Sequence, residues 1–239
     1  MNTNYNLEEW AAATSKGRQV YNHSYHLSDK AFKGWRLIKV VVLSNTKEGA
    51  ANAYMFENPK NPGQEMIRID ILEEYSRQSA QAMLRNHLTE CMRPDILSGT
   101  RNVAKIGDIN FVNRVPESDI PAAIFFTRGN IFLSMNSVGE KDIDLSDFAV
   151  QLDDDLNKPG SSPAGGKEKI RVLPPKASVT LKAGDAHILI KDVRKVTPRD
   201  TWVKIIVPDG ELSRKGDAII YSSETGGAKN VSIEAISRE

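Results

Sequence analysis

The densest group of polar, potentially reactive side chains is the segment Tyr21-Asn22-His23-Ser24-Tyr25-His26. If this segment were helical, His23 and His26 would share one face, because residues three apart are neighbours on a helix. Two imidazoles on one face could ligate a metal, but such a site needs a third ligand, usually a carboxylate or another His. No positional signature in the sequence supplies that ligand. The alternative is an aromatic arm that packs on the body of the protein.

A third histidine, His87, stands four residues before Cys91, the single cysteine of the chain. This spacing on a helix suits a zinc-binding pair or an activated thiolate. Both residues, however, fall on the apolar face that also carries Leu84 and Leu88. Since a buried Cys behaves as a small hydrophobe, we expect a structural role for this pair. A lone cysteine also leaves no intrachain disulfide to form.

The strongest local charge lies in residues 140–155, where seven carboxylates accompany one lysine. The candidate partner-binding residues are Asp142, Asp144, Asp153, Asp154 and Asp155. The first two precede a predicted helix, whose dipole favours anions there, and the last three end it, where the dipole opposes them. That mismatch could mark a basic partner. The alternative is a solvated acidic face. A calcium site of the EF-hand type is not indicated, because the twelve-residue loop with its central glycine is absent.

The spacing of apolar residues along the chain predicts which strands and helices carry these candidate residues. Residues 35–44 form a nearly continuous apolar run that indicates a buried central strand. Two strand pairs follow, each leading into a helix, over residues 51–92 and 122–156. In the first pair, Ile67, Ile69 and Ile71 alternate with polar residues, which indicates a strand. Asp144 can cap the second helix through its carboxylate. We expect two ββα-like units that share one antiparallel sheet, with both helices on one face.

A run of Pro, Gly and Ser at residues 159–166 reads as a linker, because it lacks apolar side chains to bury. Beyond it only strand patterns appear, separated by turn residues such as Pro208-Asp209-Gly210, which predicts a small β-sandwich. The predicted division is an N-terminal arm (1–34), an α+β domain (35–158), the linker (159–166) and an all-β sandwich domain (167–239). So small a sandwich has a marginal core, so we expect it to dock on residues 35–156 or on a partner.

The sequences FTRGNIFLSM (126–135) and DLSDFAVQLD (144–153) resemble the closing hairpin and helix of small α/β domains in bacterial secreted or extracytoplasmic proteins. In those domains an R-x-G-N turn leads into an apolar strand, and here the turn is Arg128-Gly129-Asn130, with no residue between Arg and Gly. The resemblance covers about residues 122–156. It implies a binding or sensing domain rather than a catalytic one, with Gly129 at positive φ in the turn.

Several function classes lack their signatures. The chain has no P-loop, dinucleotide fingerprint, nucleophile elbow or His-Glu-x-x-His motif, so no cofactor is expected. A net charge of +1 gives no reason to expect nucleic acid, and no apolar run is long enough to span a membrane. The N-terminus lacks signal-peptide features. The expected compartment is therefore extracytoplasmic if a signal peptide was removed, and cytoplasmic otherwise.

The leading hypothesis is a non-enzymatic binding or structural protein with a protein partner or a second copy of itself. It predicts an exposed apolar or aromatic patch, or an open sheet edge, near the domain junction. One alternative is a metal-dependent hydrolase that uses His23, Tyr25 and His26. The other is an accessory subunit that docks a basic partner through residues 140–155.

Overall fold

The computed structural model describes residues 17–45, 49–90, 106–159, 169–172, 177–196 and 201–237. Over these residues the protein is mainly antiparallel β-sheet with a few short helices. In chain order the strands are β1 (Gln19–His23), β2 (Arg36–Asn45), β3 (Ala50–Glu57), β4 (Met66–Glu73), β5 (Ile109–Arg114), β6 (Pro121–Arg128), β7 (Ile131–Ser137), β8 (Lys169–Val172), β9 (Ala177–Leu181), β10 (Ala186–Ile190), β11 (Thr201–Val207), β12 (Glu211–Lys215), β13 (Ala218–Ser222) and β14 (Gly227–Ser237). The helices are α1 (Arg77–Glu90), α2 (Ser146–Asn157) and α3 (Val193–Val196).

Six strands form the sheet of the first part, in the order β2-β3-β4-β7-β6-β5. Every neighbouring pair is antiparallel. The prediction of a central strand at residues 35–44 is wrong, because β2 lies at the edge and pairs only with β3 among the described strands. A continuous apolar run is typical of a buried strand, but the side chains alone do not tell whether a second partner strand exists.

The two long helices pack on opposite faces of this sheet, whereas the sequence predicted one shared face. Helix α1 packs through Leu84 against Phe125 and Phe132, and α2 packs in a separate core with Phe126 and Leu133. Successive residues of a strand point to opposite faces, so these neighbouring phenylalanines serve different helices. Each face of the sheet is therefore covered by a helix.

The second part, called the β module here, consists of β1, β8–β14 and α3. One sheet has the order β1-β11-β14-β8, with β9 pairing the first half of β14, and the other has the order β10-β13-β12. Side chains from both sheets share one core cluster, which includes Val203, Ile205, Ile219 and Tyr221. The two sheets therefore pack face to face, as in a sandwich.

Two details of the β module differ from the sequence prediction. The segment expected to be a polar arm contributes β1, which pairs antiparallel with β11 over its whole length. The part expected to contain only strands includes the single-turn helix α3. Both differences come from short segments, in which tertiary pairing decides the conformation more than local period does.

The β module docks on the first part, as the sequence predicted. Trp202 and Ile236 of the module belong to the core that covers the α2 face of the six-stranded sheet. Asn22 and Asn130 join the parts reciprocally: the Asn22 N–H donates to Asn130 Oδ1 at 2.7 Å, and Asn130 Nδ2 donates to the Asn22 carbonyl at 2.8 Å. Trp202 Nε1 donates to Asn22 Oδ1 at 3.0 Å. Buried polar groups are thus paired across the junction.

Gly129 has the positive φ that the sequence predicted, at 55°. A Cβ at this position would lie 2.0 Å from the Val20 carbonyl oxygen of β1. Glycine is therefore needed both for the turn and for the close approach of β1. None of the helices in the described segments is long and apolar enough to cross a membrane.

Candidate binding pocket

The structure places His23 in a partly buried polar cluster with Glu73 and Arg214. Its Nδ1 lies 2.5 Å from Glu73 Oε1, and Glu73 Oε2 accepts from the Ser24 N–H at 2.7 Å. Arg214 Nη1 of β12 approaches Glu73 Oε1 at 3.9 Å. His23 ends a strand and not a helical turn, so the shared helical face on which the pairing with His26 depended is absent. No group of three potential ligands that could hold a metal ion occurs among the described residues.

His87 has a packing role. Its ring lies 4.8 Å from the Phe125 ring and 5.4 Å from the Phe132 ring, measured between centroids. Burial lowers the pKa of His87, although Asp70 and Glu90 act in the opposite direction. The imidazole is therefore part of the face that covers the sheet. Cys91 lies outside the described residues.

The acidic segment is only partly exposed. Asp153 is buried and forms a two-pronged ion pair with Arg128, with distances of 2.7 and 2.8 Å. Asp155 is also buried, and Asp154 pairs with Lys158 at 2.5 Å. Asp144 Oδ1 accepts from the Ser146 N–H at 2.8 Å, but the N-cap of α2 is Leu145 and not Asp144, and no side chain caps the helix there. Asp142 is exposed.

The acidic residues at the C-terminal end of α2 are opposed by the helix dipole, but a cation of the same chain lies at this end of the helix. Lys204 of β11 is fully buried, and its Nζ donates to the carbonyl oxygens of Asp155 and Lys158, the latter at 2.7 Å. Lysine at a helix C-terminus satisfies carbonyls that have no partner within the helix. The cation at this end of α2 therefore belongs to the same chain.

A cavity of about 660 Å³ lies where the first turn of α1 faces one end of the β module. No residue that lines it has a large apolar or aromatic side chain. The lining residues are Gly17, Arg77, Gln78, Gly184, Asp209, Gly210, Glu211, Ser222, Ser223, Glu224 and Thr225. The wall therefore offers hydroxyls, carboxylates, an amide, a guanidinium and glycine backbone.

Asp209 organises the module side of this pocket. Its Oδ1 accepts from the Tyr221 hydroxyl at 2.8 Å and from Ser223 Oγ at 3.0 Å. Its Oδ2 accepts from Lys229 Nζ at 2.5 Å and from Thr225 Oγ1 at 3.1 Å. One carboxylate in the turn between β11 and β12 thus fixes residues from β13, from the following turn and from β14.

The contacts of Asp209 set its charge state. Partial burial raises the pKa of Asp209, but the hydrogen bonds from Lys229, Tyr221, Ser223 and Thr225 outweigh it and hold the pKa at about 2. Burial, followed by the hydrogen bond to Asp209, raises the pKa of the Tyr221 phenol above its usual value. At neutral pH the cluster is therefore a carboxylate with a neutral phenol.

The other wall comes from the start of α1. Ser76 caps this helix, since its Oγ accepts from the Ser79 N–H at 3.1 Å. Arg77 follows in the first turn, is buried, and donates through Nη1 to Gln19 Oε1 of β1. Burial lowers the pKa of Arg77, while Asp108 and Glu211 raise it. An arginine remains charged at neutral pH, so this wall is positive.

Glycine is required at the turn that carries Asp209. Gly210 has a φ of 76°, and a Cβ there would lie 2.2 Å from the Ser222 carbonyl oxygen. The sequence predicted a turn at Pro208-Asp209-Gly210, which the structure confirms as the link from β11 to β12. It did not single out Asp209 as a site residue, because the four groups around it lie 12 to 20 residues away.

Comparison of the chain with protein-family models, with curated proteins and with solved structures gives no match. The hydroxyls of Ser223 and Thr225 donate to a carboxylate with a pKa of about 2, which is a weak base at neutral pH. No histidine is among the residues that line the cavity.

Proposed function

We propose that this protein is a non-enzymatic binding protein whose pocket takes a small polar ligand. The observation that carries the proposal is the cavity of about 660 Å³ with a wall of polar and glycine residues that bear both signs of charge. Its volume falls in the range of about 300–1,000 Å³ that small-molecule sites have. Because no lining residue has a large apolar side chain, the pocket does not favour a bulky hydrophobic ligand.

The distribution of charge supports a zwitterionic ligand, such as an amino acid or a short peptide. The positive group, Arg77, belongs to α1, and the carboxylates of Glu211 and Glu224 belong to the β module. A ligand carboxylate is attracted to the guanidinium and a ligand ammonium to the carboxylates. Asp209 contributes less to the binding of a cation, because Lys229 already pairs with it at 2.5 Å.

The pocket walls are preorganised for such a role. Asp209 ties the β13–β14 connection to the β11–β12 turn, and the capped start of α1 is held against β1 through Arg77 and Gln19. Rigid polar groups lose little entropy when a ligand binds, which favours affinity. The pocket lies between the two parts of the protein, a position that small-molecule sites often occupy.

Titration calorimetry with amino acids and dipeptides, and with neutral sugars for comparison, tests the proposal. We expect heat of binding only for the zwitterions. Glu211→Gln removes a carboxylate from the wall and should weaken binding about tenfold, the size of one charged hydrogen bond. The matched control is Glu140→Gln, an exposed carboxylate far from the pocket lining in sequence. Binding of a sugar alone, or no binding of any zwitterion, would contradict the proposal.

A further inference from the structure

The edge strand β2 exposes an unusual amount of apolar side chain. Nine large hydrophobic residues are exposed in the described part of the chain, and five of them lie on β2. Their exposed fractions are Ile38 42%, Val40 50%, Val41 36%, Val42 65% and Leu43 50%. Single exposed hydrophobic residues are ordinary, but a contiguous group of them marks an interaction surface.

The backbone of β2 is also open along one side. It pairs with β3 on one edge and ends the order of the six-stranded sheet, so among the described strands none covers its other edge. An uncovered edge presents N–H and C=O groups that can accept a further strand. Its register with β3 shifts between Leu37 and Lys39 and between Val42 and Ser44, leaving four residues in regular pairing between the shifts.

We infer that β2 pairs antiparallel with β2 of a second copy of this chain, about a two-fold axis through Val41. In this register Val41 faces its symmetry mate, Val40 faces the second copy's Val42, and Lys39 faces the second copy's Leu43. Pairs of β-branched residues directly opposite each other stabilise a sheet. Two-fold symmetric pairs are the commonest oligomers and need a self-complementary surface.

Charge favours antiparallel pairing over parallel in-register pairing. Between Ile38 and Leu43 the only charged residue is Lys39. Antiparallel pairing about Val41 separates the two copies of Lys39 by four residues, about 14 Å along the strands, beyond a screening length of about 8 Å in physiological salt. Parallel in-register pairing would place like charges opposite each other, which is destabilising. Arg36 is already engaged by Glu57 of the same chain.

Sedimentation velocity over a range of concentrations measures the association. We expect a reversible dimer whose dissociation constant rises roughly tenfold or more in Val42→Lys, because each new lysine would face an apolar residue across the interface. Val150→Lys is the matched control, since Val150 is an apolar residue of α2 with a 45% exposed side chain. Circular dichroism shows whether both variants are folded.

Disulfide trapping tests the register. In a Cys91→Ser background, Val41→Cys places two thiols directly opposite, where Cα atoms lie about 4.5–5.5 Å apart, within the range that a disulfide spans. We expect oxidation to give a covalent dimer for Val41→Cys and none for Val150→Cys. A chain that is monomeric at all concentrations, a dimer equally weakened by both lysine variants, or a dimer in which Val41→Cys stays reduced would overturn the inference. Pairing of β2 with an extended peptide of another protein, by a chain that stays monomeric, would overturn it as well.

Discussion

Asp209 shows how one residue can organise a site from positions scattered along the chain. Its carboxylate accepts hydrogen bonds from the hydroxyls of Tyr221, Ser223 and Thr225 and from the ammonium of Lys229. Hydrogen bonds to an ionised carboxylate are stronger than bonds between neutral groups. The pocket wall therefore depends on the charge of Asp209 as well as on its shape.

Acid should destabilise the protein partly through this residue. The folded-state pKa of Asp209 is about 2, below the value of about 3.9 in an unfolded chain. The depressed pKa means that its stabilisation is complete above about pH 4 and is lost as pH falls towards 2. We expect Asp209→Asn to lower the free energy of unfolding at pH 7 by about 2 kcal/mol and to flatten its decline between pH 4 and 2.

Urea unfolding at several pH values measures this effect. Asp142→Asn is the control, because Asp142 is an exposed carboxylate outside the pocket. If Asp209→Asn keeps the wild-type pH dependence between pH 4 and 2, the hydrogen bonds do not hold the Asp209 charge as the structure indicates.

Lys204 and Asp153 show the same principle at the end of α2. The acids there looked like a docking surface in the sequence, since the helix dipole opposes them. In the fold, Arg128 pairs with Asp153, and the ammonium of Lys204 covers the terminal carbonyls. Both cations are remote in sequence, so only the tertiary structure could place them.

At the scale of elements, the contact between β1 and the β6–β7 turn joins the two parts of the molecule. Gly129 and Gly63 both have positive φ, at 55° and 75°. A Cβ on Gly129 would meet the Val20 backbone at 2.0 Å, whereas a Cβ on Gly63 would meet nothing within 4 Å. Replacing Gly63 by alanine therefore costs only the strain of a positive φ. Replacing Gly129 by alanine costs that strain and also the close approach of β1.

We expect Gly129→Ala to destabilise the protein by at least about 2 kcal/mol more than Gly63→Ala, because only the former must displace β1 as well as strain its own φ. The midpoint of chemical denaturation, with an unchanged slope, measures the difference. Equal losses of stability in the two variants would mean that β1 can move away from the turn at little cost.

The strand β2 shows what an element's own sequence leaves open. Its apolar run correctly indicated a strand. The strand lies at the edge of the sheet, however, and not at its centre as the sequence predicted. The sequence hypothesis placed an exposed apolar patch or an open edge near the domain junction, whereas this exposed strand ends the six-stranded sheet. The apolar run belongs to an element whose partner on one side is absent from the described chain.

At the scale of the whole molecule, the two parts form one connected body in the described residues. β1 belongs in sequence to the first part and in pairing to the β module. Trp202 of the module lies in the core of the first part, with its ring 4.7 Å from that of Tyr25. Such shared cores favour cooperative unfolding.

We therefore expect the two halves to stay together when the chain is cut between them. A protease recognition sequence inserted at residues 160–166 allows cleavage at one place, and the fragments should elute as one species in gel filtration. They should separate only in denaturant, because the N-terminal fragment retains β1, the edge strand that pairs with β11. Two fragments that elute separately without denaturant would show that the junction contributes little.

Local patterns were enough for most elements of this protein. Alternation of Ile67, Ile69 and Ile71 identified β4, the stripe through Leu84 and Leu88 identified α1, and Asp144 marked the start of α2 without being its cap. These signals lie within one element, where period and capping act over a few residues. Short elements such as β1, β12 and α3 have too few residues for a repeating pattern of apolar side chains to be recognised.

What the sequence determined by itself is the class of structure: antiparallel strands with a few helices, and a second part made mainly of strands. The tertiary structure alone decided which face each helix covers, which strand is left at the edge, and which residues meet around Asp209. The physical reason is that burial and hydrogen bonding of these groups depend on neighbours far along the chain. A residue's type specifies what it can bond, and the fold specifies what it meets.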